Sequence, residues 1–208
     1  MMQILRNRNI ANTDWNIADT FLYPVLFFGS TSFFIHKLGA AQFGIWMLIN
    51  TIVVSMKLFN LGVGSTVFRN IAFYQAQRND DGCKQVMNNA FSITFLLFCI
   101  SLLVSLSLAV WSKNFGFLNI SQADRNLFSK GIIAGGIIVG FKFLELVFTN
   151  YFKALEQFNK AMIISSGNKL AALLINIGLL LFVRINVVQL LFVSAAINAV
   201  FFVVAALL

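Results

Sequence analysis

Apolar residues gather in six long runs separated by charges and turn-forming residues, over 16–36, 42–68, 87–111, 130–152, 162–183 and 187–208. A helix needs about 20 mainly apolar residues, at about 1.5 Å each, to cross about 30 Å of hydrocarbon, and every run meets that length. Stretches such as FSITFLLFCISLLVSLSLAVW (91–111) are continuously apolar. Barrel strands would be shorter and would alternate polar with apolar residues, so the spans are expected to be helices. The predicted fold class is all-α: a polytopic membrane helix bundle of six transmembrane helices, with 1–208 as a single unit. Arg6 and Arg8 precede the first run as in a secretory signal. Asp14 and Asp19 are out of place there and five more runs follow, so an uncleaved first helix is expected.

Composition fixes the solvent. The 208 residues are 59% hydrophobic and 11% charged, with a mean hydropathy of +0.85 and a single proline, whereas soluble domains carry about a quarter charged residues. Two cysteines, Cys83 and Cys99, and one histidine, His36, form no ligand-spaced set, which excludes disulfide scaffolds and most metal enzymes. No nucleotide-binding loop is present, no cofactor is implied, and a nucleic-acid partner is not expected. The longest polar connection offers only Asp124 and Arg125, which read as a solvated turn, so no enzymatic activity is predicted.

The net charge of +8 bears on topology. With the N-terminus cytoplasmic, the inner loops hold Arg6, Arg8, Arg69, Arg78, Lys84, Lys153 and Lys160. The outer loops hold Lys37, Lys113, Arg125, Lys130 and Arg184. Cytoplasmic loops retain positive charge, so the N-terminus is expected inside. Trp15, Trp46 and Trp111 fall near predicted span ends, where amphipathic rings anchor at the interface.

Three lysines fall within the spans, where a charge costs about 2.5–3.5 kcal/mol on insertion scales and is a functional signal. Lys57 shares a helical stripe with Asn50, Asn60 and Gly64. Lys142 and Glu145 are three apart, close enough to pair, with Thr149, Lys153 and Glu156 continuing the line. Lys169 with Asn176, and Ser194 with Asn198, repeat helical spacings in the last two runs. Faces of this kind avoid lipid, so a bundle around a hydrated, cationic cavity is expected, and such a cavity suits a phosphate or diphosphate group. The predicted substrate-binding residues are Lys57, Lys142, Lys169, Asn50 and Asn60. Glu145 and Asp19 are the ion-coupling candidates, because intramembrane carboxyls serve as proton relays.

The stretch LGAAQFGIWMLINTIVVSMKLFNLGVGSTVFRNIA (38–72), with its Leu-Gly pair, Phe43-Gly44, Trp46 and Leu61-Gly62-Val63-Gly64, resembles the N-terminal lobe of polysaccharide and O-antigen flippases. These belong to the superfamily that includes the MATE exporters. Glu145 followed by YFKALEQFNKA (151–161) is similar to the end of the fourth helix and the following loop in that family. The resemblance implies a bacterial inner-membrane carrier of two six-helix lobes that moves an undecaprenyl-diphosphate-linked oligosaccharide between leaflets, as in lipopolysaccharide biosynthesis. Its partners would be that anionic lipid-linked glycan and membrane lipid. The chain ends inside an apolar run, Val203 to Leu208, and is expected to be one lobe, completed by a second lobe or by a homo-oligomer. A MATE-like small-molecule exporter and a non-transporting membrane subunit are the alternatives.

Overall fold

The computed structural model describes residues 24–56, 62–114, 122–183 and 185–208, and every element among them is helical. Helix α1 covers 24–38 and α2 Ala40–Met56. They are followed by α3 (Val63–Ala76), α4 (Asp80–Asn114) and α5 (Gln122–Ala154). A short α6 (Phe158–Met162) runs through a π-helical turn (Ile163–Gly167) into α7 (Asn168–Phe182), and α8 spans Val187–Leu207.

Local chemistry sets the boundaries. Gly39 takes a left-handed conformation (φ 78°) and donates its amide to Ile35 O at 2.9 Å, which ends α1 as only glycine does without strain. Asn79 Oδ1 accepts from the Gly82 amide at 2.9 Å, and Asp80 and Asp81 complement the N-terminal dipole of α4. Helix α8 opens with a reciprocal capping box between Asn186 and Gln189.

Among the described residues four helical stretches are long and apolar enough to cross a membrane: Asp80–Ser112, Asp124–Ala154, Phe158–Phe182 and Val187–Leu207. The single helix expected over 42–68 is divided. α2 ends at Met56, Gly62 is left-handed (φ 73°), and α3 starts anew at Val63. A positive φ cannot lie inside a right-handed helix, so Gly64 and Asn50 belong to different helices. Glu156 also has a positive φ (57°) and lies beyond the end of α5, so the polar line from Lys142 stops at Lys153.

Helix α5 is the centre of the bundle and touches α2, α3, α4, α6 and α8. Contacts of Phe91 with Phe148, Phe98 with Phe141, Ser101 with Gly136 and Ala109 with Ser129 step in opposite directions, so α4 and α5 are antiparallel. Gly131 lies against Leu191 and Phe148 against Phe202, so α5 and α8 run parallel. The largest core joins Phe34, Trp46, Ile49, Phe128, Ile132, Leu173 and Leu191. Smaller ones form around Val67, Ile71 and Val147, and around Phe152, Ile164 and Ala205. Trp46 is 5% exposed and its ring stacks on Phe27 (5.4 Å) and Phe34 (4.8 Å). It is a core residue and not an interfacial anchor, whereas Trp111 is exposed.

Candidate functional site

A cavity of about 350 Å³ opens among α1, α2, α5, α7 and α8. Its polar lining comes from Asn50, Lys142, Asn168, Lys169, Asn176, Ser194 and Asn198, and its apolar walls include Trp46, Ile138 and Leu173. Of the substrate-binding candidates, Asn50, Lys142 and Lys169 meet here, each on a different helix. Lys57, Asn60 and Asp19 lie outside the described residues.

Lys142 Nζ lies 2.8 Å from Glu145 Oε2, an ion pair within one turn of α5. The Lys142 side chain keeps 22% of its surface exposed and that of Glu145 6%, so the ammonium borders the cavity and the carboxylate sits behind it. The same Oε2 accepts from Asn168 Nδ2 at 2.6 Å. Asn168 Nδ2 also donates to Asn198 Oδ1 at 3.0 Å, and Asn198 Nδ2 donates to Ser194 O at 2.7 Å. Ser194 Oγ accepts from Asn176 Nδ2 at 2.9 Å and donates to Leu190 O at 2.9 Å. A hydrogen-bonded chain thus runs from Lys142 to Asn176 across α5, α7 and α8. A buried carboxylate without such partners would carry a cost of several kcal/mol on the order of magnitude of ion desolvation.

Local structure sets these positions. The π-helical turn just before Asn168 holds an extra residue relative to α-helical winding, a feature often found at functional sites. Asn168 is 1% exposed and is the central link of the chain, yet sequence spacing did not single it out. Its four-residue steps through Ala172 to Asn176 give one stripe, and that stripe was the available signal. Asn50 Nδ2 donates to Trp46 O at 2.8 Å, one turn back. Thr149 Oγ1 bonds to Glu145 O at 3.0 Å and so faces its own helix.

Two cations beside five neutral hydrogen-bonding side chains can hold an anion that also carries hydroxyl or amide groups. Among the described residues no group of three or more His, Cys, Asp or Glu side chains could hold a metal ion. The chain matches no family model, no curated protein and no solved structure. Fold and cavity together define an all-helical bundle, four of whose helical stretches are long and apolar enough to cross a membrane, with a cation-bearing polar cavity between its helices.

Proposed function

We propose that this chain is a flippase lobe that moves a lipid-linked anionic oligosaccharide, an undecaprenyl-diphosphate conjugate, across the bacterial inner membrane. The observation that carries this reading is the convergence of Lys142 and Lys169 with Asn50, Asn176 and Asn198 on one cavity inside a bundle of apolar helices. The diphosphate would sit against the lysines, the polyprenyl tail would stay in lipid, and no bond would be made or broken. Glu145 would hold Lys142 when the site is empty and would exchange a coupling ion when the substrate draws Lys142 away. Lys57, Asn60 and Asp19 belong to the proposed set on sequence grounds.

The end of the bundle where α3 meets α4 and α5 meets α6 carries Arg69, Arg78, Lys84, Lys153 and Lys160. The opposite end carries Lys37, Lys113, Arg125 and Lys130. With Arg6 and Arg8 counted at the first end and Arg184 at the second, the cations number seven against five, and this excess supports placing the first end, and with it the N-terminus, in the cytoplasm. A second six-helix lobe or a second copy of the chain would complete the carrier. A drug-exporting relative would call for several carboxylates in the cavity, and Glu145 lies behind Lys142, which favours the anionic substrate.

The test is replacement of Lys142 and Lys169 by Gln, singly and together, in cells whose surface glycan depends on the chain. Loss of the polymer with the protein still in the membrane is expected. Polymer at wild-type level in the double variant would reject the reading.

A further inference from the structure

A larger cleft, of about 780 Å³, opens at one end of the bundle between α4 and α8, with α5 as its floor and α6 at its rim. Its level relative to the membrane follows from the helices. Asp80–Ser112 and Phe158–Phe182 begin at this end and Asp124–Ala154 finishes there, so the cleft lies where hydrocarbon gives way to headgroups and water. Phe91 and Phe202 meet at 6.1 Å further in and close it toward the middle of the bundle. Its chemistry is graded. On α4, Asp80, Lys84 and Met87 line the cleft and share one helical face. Each step toward Met87 lies about 4.5 to 6 Å deeper along the helix, passing from a carboxylate through an ammonium to an apolar side chain. Phe148 and Phe152 line the cleft from α5, and Lys160 on α6 adds a second cation. Lys160 Nζ gives one hydrogen to Leu208 O at 2.8 Å, lies 5.1 Å from the Phe152 ring centroid and keeps further hydrogens to donate. Lys84 holds Asp81 at 3.2 Å with side chains 74% and 93% exposed, a surface pair of the kind that is worth little and yields to a stronger anion.

We infer that this cleft binds a membrane phospholipid whose headgroup carries an amine, with Lys84 and Lys160 on the phosphate, Asp80 on the ammonium and the glycerol end against Met87 and Phe148. From water inward such a lipid presents ammonium, then phosphate, then hydrocarbon, and the three α4 side chains follow the matching order. A purely anionic headgroup would set its charge beside Asp80, where like charges repel. A free phosphate would leave the apolar floor in water. The volume of about 780 Å³ falls within the range of ligand sites, about 300 to 1,000 Å³. It has room for a headgroup and glycerol, while the acyl chains, barred from the interior by Phe91 and Phe202, stay in the surrounding lipid. The cleft shares no lining residue with the cavity that holds Lys142 and Lys169, and the inference does not depend on the flippase reading.

The experiment uses the full chain in nanodiscs of equal parts phosphatidylethanolamine and phosphatidylglycerol, with native mass spectrometry of the lipid that each molecule retains on release. Both lipids carry the phosphate, and only the first carries the ammonium. The ethanolamine lipid is expected to be retained about threefold over the glycerol lipid, the size of one exposed ion pair. Asp80→Asn should erase or reverse that preference, and Asp80→Ser gives the same readout if the asparagine variant does not fold. Asp124→Asn, the same change of net charge at the other end of α5, should leave it in place. Lys84→Gln combined with Lys160→Gln should lower retention of both lipids about tenfold, and Lys84→Gln alone about threefold. Release without bound lipid, or equal retention of the two lipids by the unaltered protein, would overturn the inference. So would a preference that survives both changes at Asp80, one that Asp124→Asn also removes, or retention unaffected by loss of both lysines. Retention is read without transport, so none of these outcomes bears on the flippase reading.

Discussion

Helix α5 presents two sides with opposite solutions to the same problem. Toward α4 it is dry and close. A Cβ added at Gly136 would collide with Ser105 and come within 3.1 Å of Ser101 O, and one at Gly140 would run into the Phe98 ring. Ser101 Oγ shares its one hydrogen between Phe98 O on its own helix at 2.8 Å and Gly136 O across this seam at 3.1 Å, and Ser129 Oγ donates to Ala109 O at 3.0 Å. Toward α7 and α8 the same helix carries Lys142 and Glu145 and borders a cavity. Between apolar helices in lipid there is no hydrophobic drive, so small residues and backbone approach must hold the first side. The second side spends that contact on charges, and its rigidity comes from hydrogen bonds between side chains. One side fixes the helix so that the other can hold a site.

The contrast can be broken from either side. The largest effect is expected for Glu145→Leu, which leaves Lys142 without its buried partner and should cost about 3 kcal/mol of stability. Thermal unfolding in detergent measures it, and adding Lys142→Met should recover most of the loss. A double variant as unstable as the single one would mean that the pair is not what matters. Gly136→Val should cost about 2 kcal/mol, since the Ser105 Cβ it meets is fixed to the backbone of α4 and cannot swing aside. Gly140→Ala should cost less, because a phenyl ring can turn, and equal melting shifts for the two would remove the distinction between rigid and yielding neighbours. Asn198→Leu should cost about 1 kcal/mol by taking an acceptor from Asn168, without moving the α4 seam. Cysteine cross-linking between positions 109 and 129, which already meet across it, would show whether the seam is intact. Ser101→Ala comes last, at about 0.6 kcal/mol, the average for a hydrogen bond between membrane helices.

Sequence periodicity revealed helices and pairs within one helix better than breaks and contacts between helices. Lys142 and Glu145 were legible as partners because a three-residue step places both on one face. Lys169 with Asn176 and Ser194 with Asn198 were likewise visible as stripes, and all four line the cavity. Asn168 was not, because its role depends on α5 and α8 arriving on either side of it. The break at Gly62 was hidden because a glycine in an apolar run reads equally as a packing residue or as a left-handed turn. Trp46 was misplaced for a related reason: a ring near the end of an apolar run gives the same signal in the headgroups as between two phenylalanines.

The π-helical turn at Ile163–Gly167 has a geometric use. Ile164 is fully buried against Phe152 and Ala205, while Asn168, four residues on, enters the polar chain. A regular helix advances about 100° per residue, and one surplus residue in a turn resets that phase. The segment from 158 to 182 can thus point its early residues into an apolar cluster and its later ones into a polar chain without a kink or a loop. Forcing the same residues into even α-helical winding would rotate the two halves against each other by about 100°, whereas removing the surplus residue restores even winding and leaves them aligned. Alignment of the two clusters therefore depends on the turn absorbing its surplus residue, and a one-residue deletion within 163–167 should disturb it less than one in the regular helix that follows.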